Sequence, residues 1–222
     1  MHRITQYLPL VFSLCFIGIL LGVRGLRFRR RFGYSPFRFP RWRDRSAAAF
    51  VSRMLVVVLA AIVLLATAAA LVPERLAQFD PLYRYRGPTL LTAGALWMLV
   101  GAAIVWKGQD DMREAWRVGI DEREHTRLVT QGLFQFCRNP IYLGLQAALV
   151  GFVGVVPGCF SLVLLAISLA LCQVQSRLEE SYLLSQHGAA YAEYCRRVGR
   201  FLPWTGRRTL RPANRKPRGI EP

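Results

Sequence analysis

The sequence predicts an all-α fold, a polytopic membrane bundle of about five transmembrane helices whose last two form a short helical hairpin, followed by a cytoplasmic interfacial helix at the carboxyl-terminal end. Three observations lead there. Of 222 residues, 53% are hydrophobic although the chain carries 30 Lys and Arg against 13 Asp and Glu. The charges are segregated, so long apolar runs alternate with Arg-rich stretches. The basic count also alternates: ten Lys and Arg from Arg24 through Arg53, three between Pro73 and Pro88, six from Lys107 to Arg138, none around Pro157, and ten from Arg177 onward. That pattern places the amino terminus outside, and the 24–46 loop, the 107–140 segment and the carboxyl terminus inside. A net charge of +17 on a soluble chain would point to nucleic acid. Here the basic residues flank apolar spans and no nucleic-acid module accompanies them, so nucleic acid is not an expected partner.

Leu8 to Val23 is a continuous apolar run that Tyr7 anchors at the interface. Its basic segment follows the run where a secretory signal would carry charge in front, which makes it a retained anchor. The loop from Arg24 to Asp44 interleaves arginines with Phe28, Phe32, Tyr34, Phe37, Phe39 and Trp42. Beside a span this pattern marks the headgroup layer and contact with anionic lipids. Ala47 to Val72 is the clearest span, with Arg53 able to snorkel outward and Pro73 stopping it. A short loop, 74–88, leads to a third span, Leu90 to Trp106. A short interfacial helix is expected over Asp110 to Arg117, then a loop. Ile141 to Val174 is too long for one span and is broken by Val156-Pro157-Gly158, giving two helices of about 16 residues, roughly 24 Å each. From Arg177 to Arg200 the apolar residues Leu184, Tyr191, Tyr194 and Val198 recur at helical spacing, which predicts a surface helix. These elements divide the chain into an N-terminal membrane region (1–89), a core with three spans (90–203) and a basic tail (204–222).

The five cysteines are scattered without CxxC or Cys/His spacing, and the three histidines are dispersed, so no metal site is expected. Cys137 reads as packing at a helix entrance. Two polar clusters stand out. One is Gln131-Gly132-Leu133-Phe134-Gln135-Phe136-Cys137-Arg138-Asn139-Pro140-Ile141-Tyr142-Leu143-Gly144, at the mouth of an apolar run. The other, Arg177, Glu179 and Glu180, ends that run, and the spacing of Gln173, Arg177 and Glu180 places those three on one helical face. Together they are expected to frame one site on the cytoplasmic side.

Leu128 to Phe134 followed by Arg138-Asn139-Pro140-Ile141-Tyr142-Leu143-Gly144 resembles the signature of the isoprenylcysteine carboxyl methyltransferase family and its phospholipid methyltransferase relatives. Glu179-Glu180 with Leu183, Gly188, Tyr191, Tyr194, Val198, Arg200, Phe201 and Pro203 resembles the closing pattern of the same family, and Trp116 to Ile120 is similar to a segment of its bacterial members. The resemblance covers roughly Met112 to Pro203. It implies an integral membrane methyltransferase of a bacterial inner membrane that uses S-adenosylmethionine. By that resemblance Gly132, Phe134, Arg138, Asn139, Pro140, Tyr142, Gly144, Glu179 and Glu180 bind the cofactor. Arg138, Asn139 and Glu180 are the catalytic candidates, and Arg117 and Arg177 the candidates for an anionic acceptor group. Eukaryotic members carry His where this chain has Asn139 and usually Tyr where it has Phe134. Asn139 can hydrogen-bond but has no proton to exchange near neutrality. Methyl transfer to a carboxylate needs no such group, because the acceptor is already ionised and the protein aligns donor and acceptor. The acceptor implied is lipophilic, a small molecule or a lipid-modified group. Two other readings stay open: an NADPH-dependent membrane reductase resembling the steroid 5-alpha-reductase group, and a non-enzymatic membrane protein in which the polar clusters only end helices.

Overall fold

The computed structural model describes residues 5–37, 44–116 and 127–202. Four helices in it are long and apolar enough to cross a membrane, and a fifth is apolar but shorter. Many of their large apolar side chains, among them Val57, Leu64, Leu96, Leu99 and Val163, are exposed, as a lipid-facing surface requires. The bundle is an integral membrane protein.

Helix α1, Leu8–Phe32, is one continuous helix that passes through a wider turn at Gly18–Val23. It does not stop at Val23 as the hydropathy predicts. Arginine is a good helix former, and the aromatic side of the extension finds a seat: Phe28 is buried and stacks edge-on against Trp116 with ring centres 5.6 Å apart. Gly33 ends the helix in the left-handed region at φ 80°, where glycine is at ease. Ser46 begins α2 (Ala47–Leu71) as an N-cap, its hydroxyl accepting the Ala49 N–H at 3.1 Å. Arg53 reaches back to the Asp44 carbonyl at 2.9 Å. The expected loop 74–88 is mostly wound, as α3 (Pro73–Phe79) and a tight turn over Pro81–Tyr85. Between them Asp80 is buried, and its carboxylate accepts the Phe160 N–H at 3.3 Å, supplying charge to the amino end of the last helix.

Helix α4, Pro88–Met112, runs past the expected end at Trp106 and absorbs the first three residues of the interfacial helix expected over Asp110 to Arg117; one tight turn, Arg113–Ala115, follows in its place. The ion pair between Lys107 and Asp111, one turn apart, supports the extension. Helix α5 is Pro140–Val155 and α6 is Cys159–Arg197, joined at Val156–Gly158 where the sequence predicts the break. The second arm of the hairpin does not stop near Val174. No Gly or Pro occurs between Cys159 and His187, so the helix continues as one rod to a kink at Gly188 (φ 51°). The surface helix expected from Arg177 is therefore the far end of the last span, not a separate element.

Glycines join α4 and α5. A Cβ built on Gly94 would lie 2.6 Å from the Gly151 carbonyl, one on Gly101 would lie 2.4 Å from the Ala148 nitrogen, and one on Gly108 would lie 3.0 Å from the Ile141 side chain. The partners run in opposite chain order, so the helices are antiparallel. Gly94, Gly101 and Gly108 recur every seven residues, which keeps one bare stripe facing α5. The apolar core, Ala66, Ala69, Met98, Leu149, Phe152 and Val155 among others, draws on α2, α4 and α5.

Candidate functional site

Pro140 opens α5 at a position where a missing N–H costs nothing. Asn139 holds the cap position of α5, yet makes no side-chain cap. Its backbone N–H and its Nδ2 both donate to the Arg200 carbonyl, at 3.2 and 3.3 Å. One residue earlier the Arg138 N–H donates to the Gly199 carbonyl at 2.9 Å, and Cys137 pairs with Gly199 in a single parallel bridge. The Cys137 thiol donates to the Arg200 carbonyl at 3.4 Å. The segment after α6 thus clasps the loop before α5.

Gly132 stands at φ 64° directly against the Asp111 carboxylate, whose Oδ2 accepts the Leu133 N–H at 2.8 Å. A Cβ at position 132 would fall within 2.5 Å of both carboxylate oxygens. Phe134 is buried, and its carbonyl accepts the Tyr194 hydroxyl at 2.5 Å. The clasp and these two contacts hold the loop rigid from both ends.

Glu179 and Glu180 are neighbours on α6 about a quarter turn apart, and the structure gives them different surroundings. Glu180 is buried between two arginines. Arg138 meets it at 3.1 Å, and Arg200 holds it in a fork, Nε at 2.9 Å and Nη2 at 2.6 Å. Arg138 also donates to the Cys195 carbonyl at 3.2 Å. Chiefly through the hydrogen bond from Glu180, the Arg200 guanidinium is held above its ordinary pKa. Burial pushes the Cys137 thiol up, against a weaker opposing pull from the Asn139 N–H and from Arg138. Cys137 is a packed thiol, not a ready nucleophile.

Glu179 faces a cavity of about 500 Å³ that α1, α2, α4, α5 and α6 all line. Its Oε1 accepts the Tyr142 hydroxyl at 2.5 Å and Gln175 Nε2 at 3.2 Å. Polar side chains gather at one end: Gln109, Arg138, Asn139, Tyr142, Gln175 and Glu179. The rest of the wall is mostly apolar, with Phe12, Leu55, Ile62, Leu149 and Phe152 among its residues and hydroxyl side chains from Ser13, Ser52 and Ser168. Three buried polar atoms on lining residues have no hydrogen-bond partner: Gln109 Oε1, Gln175 Oε1 and Arg138 Nε. Buried orphans of this kind are costly unless a bound group satisfies them.

Of the residues singled out in the sequence, Phe134, Arg138, Asn139, Pro140, Tyr142 and Glu179 line the cavity together. Gly132 lies behind this wall, against Asp111, and Gly144 lies in the seam with α4, where its Cβ would come 2.8 Å from the Gly101 carbonyl. Glu180 is in the ion cluster beside Arg138. Gln173, Arg177 and Glu180 stand along one side of continuous α6, but only Glu180 is buried while Gln173 and Arg177 are exposed, so that side is not the enclosed one over its length. The buried face of α6 is instead Cys172, Gln175, Ser176 and Glu180. Arg117 lies outside the described residues. Sequence reasoning missed Gln109 and Gln175 in the lining, and also Gln146, which donates to Ser168 Oγ at 2.9 Å and to Cys172 Sγ at 3.0 Å. Gln109 and Gln146 are isolated amides in or beside apolar spans, and that signal was visible.

Residues 89–190 match the phospholipid methyltransferase family. Over 117 residues, 53% of this chain, the sequence is 27% identical to the nickel-cobalt-cadmium resistance protein NccN of Alcaligenes xylosoxydans xylosoxydans. The match spans 46% of that protein, so the chain covers less than half of the relative's length.

Proposed function

We propose, from the match of residues 89–190 to the phospholipid methyltransferase family, that the protein is a membrane methyltransferase and transfers a methyl group from S-adenosylmethionine to the carboxylate of a lipophilic acceptor. The observation that carries this reading is the cavity itself, polar and under-satisfied at one end and apolar along its body. Its volume of about 500 Å³ lies within the range of sites that enclose a small molecule.

The orphaned atoms fit the cofactor's chemistry. Gln109 Oε1 and Gln175 Oε1 are acceptors for an ammonium, ribose hydroxyl or adenine amino group, and Arg138 Nε is a donor for a carboxylate. Glu179, oriented by Tyr142 and Gln175, adds a fixed negative charge for an ammonium or ribose. When bound, the cofactor supplies an electrophilic methyl on a sulfonium. The chain's own part is alignment and exclusion of water. Asn139 serves by fastening the loop to Arg200 and moves no proton. A carboxylate acceptor needs none moved. The apolar body accommodates the acceptor's hydrocarbon, which reaches it from the bilayer between helices. By loop charge the polar end faces the cytoplasm.

The decisive experiment uses purified protein in detergent. S-adenosylmethionine should bind measurably by calorimetry, and membranes given a radiolabelled methyl donor should yield a base-labile methyl ester. Folded protein with no affinity for the donor would overturn the methyltransferase reading. A base-stable product would instead reassign the acceptor to an amine or a thiol, and stabilisation by NADPH in place of the methyl donor would move the protein to reductase chemistry.

A further inference from the structure

A second pocket, of about 230 Å³, opens at the cytoplasmic end of α1 against the end of α4. Arg24, Arg27, Arg31 and Arg113 line it, with Trp106 and Trp116 as its aromatic walls. Arg24, Arg27 and Arg31 are spaced three and four apart, so they stand on one face of α1, while Arg29 and Arg30 point elsewhere. Arg24 is pinned, its guanidinium 4.4 Å from the Trp106 ring centre and 3.5 Å from the carboxylate of Asp110, which also lines the pocket. Among the described residues Arg27, Arg31 and Arg113 meet no carboxylate, so the lining carries four positive charges against one. Arg27 and Arg31 are one turn apart, an arrangement that repels. Arg113 takes φ 49°, the one non-glycine with positive φ among the described residues, and strained backbone of this kind persists where the surroundings demand it.

We infer that this pocket binds a phosphate group, from an anionic lipid headgroup or from a soluble phosphate. Guanidinium forks match phosphate oxygens in geometry as well as charge, and the two tryptophans set the pocket at headgroup depth. An occupying anion removes the repulsion between Arg27 and Arg31 and offsets the strain at Arg113. The pocket shares Gln109 and Trp116 with the larger cavity, so its occupancy bears on the wall of that cavity without supplying groups to it. The inference does not depend on methyl transfer.

The test is thermal unfolding of the full chain in non-ionic detergent with three probes: a short-chain phosphatidic acid, the diacylglycerol of the same chains, and inorganic phosphate against chloride of equal ionic strength. Phosphatidic acid should raise Tm and diacylglycerol should not. Arg27→Gln with Arg31→Gln should abolish the shift, each substitution weakening binding about fivefold. Arg29→Gln with Arg30→Gln, the same charge change on the other face, should retain it. A shift from inorganic phosphate as well, lost in the same variant, would support the site and identify the ligand as phosphate itself. Equal stabilisation by diacylglycerol, or equal loss in both double variants, would overturn it.

Discussion

Helix α5 is held on its two sides by opposite means. Against α4 it presents Gly144, Gly151 and Gly154, so backbone comes against backbone, with the Met98 and Val105 side chains packed directly onto Gly151 and Gly144. Against α6 it presents Tyr142 and Gln146, which bond Glu179, Ser168 and Cys172, and at its entrance Arg138 bonds Glu180. The first seam is fixed by shape and leaves no space. The second is fixed by directional bonds and leaves a cavity with unsatisfied atoms. In a membrane, where burying apolar surface does not drive helices together, close packing and polar bonds are the two available means. This molecule uses the first to make a rigid pair and the second to make a chamber.

Three substitutions separate those roles. The largest effect should come from Gly101→Leu, because even a Cβ there would sit 2.4 Å from the Ala148 nitrogen. Overpacking against backbone should cost about 3 kcal/mol or more, read as loss of a monodisperse peak in detergent chromatography whether or not ligand is present. Next is Glu180→Gln, which leaves Arg138 and Arg200 buried or half-buried without their counter-charge. A penalty of about 3 kcal/mol is expected, seen as a fall in Tm with helical content retained at low temperature. The smallest effect on stability should come from Tyr142→Phe, which removes only the donor to Glu179. Here the expected loss is about 1 kcal/mol of stability but about tenfold in affinity for S-adenosylmethionine by calorimetry. If Gly101→Leu and Tyr142→Phe gave the same pattern, the distinction between a structural seam and a working seam would be lost.

The spans were legible because length and hydropathy suffice to find them. So was the association of Arg138, Asn139 and Tyr142 with Glu179, through a motif pair on either side of a Pro-Gly turn. The division of labour between Glu179 and Glu180 was not legible. Adjacent carboxylates look equivalent in sequence, and only the docking of Arg200 decides which is enclosed by arginines. The ends of α1 and α6 were misjudged for a related reason: hydropathy marks where apolar residues cease, while α1 runs on to Gly33, which takes a left-handed conformation, and α6 runs on through the kink at Gly188 to Arg197. The glycines of α4 were visible at seven-residue spacing, but their partners, Gly151, Ala148 and Ile141, lie far along the chain and emerge only from the fold.

The clasp between Arg138-Asn139 and Gly199-Arg200 also orders events in time. A ribosome delivers every membrane-crossing helix before it delivers the residues that fasten the loop at the cavity's polar end. Insertion into the bilayer and completion of the site are therefore separate stages of biogenesis. A chain whose helices have all entered the membrane still lacks a finished binding chamber until those two late residues arrive.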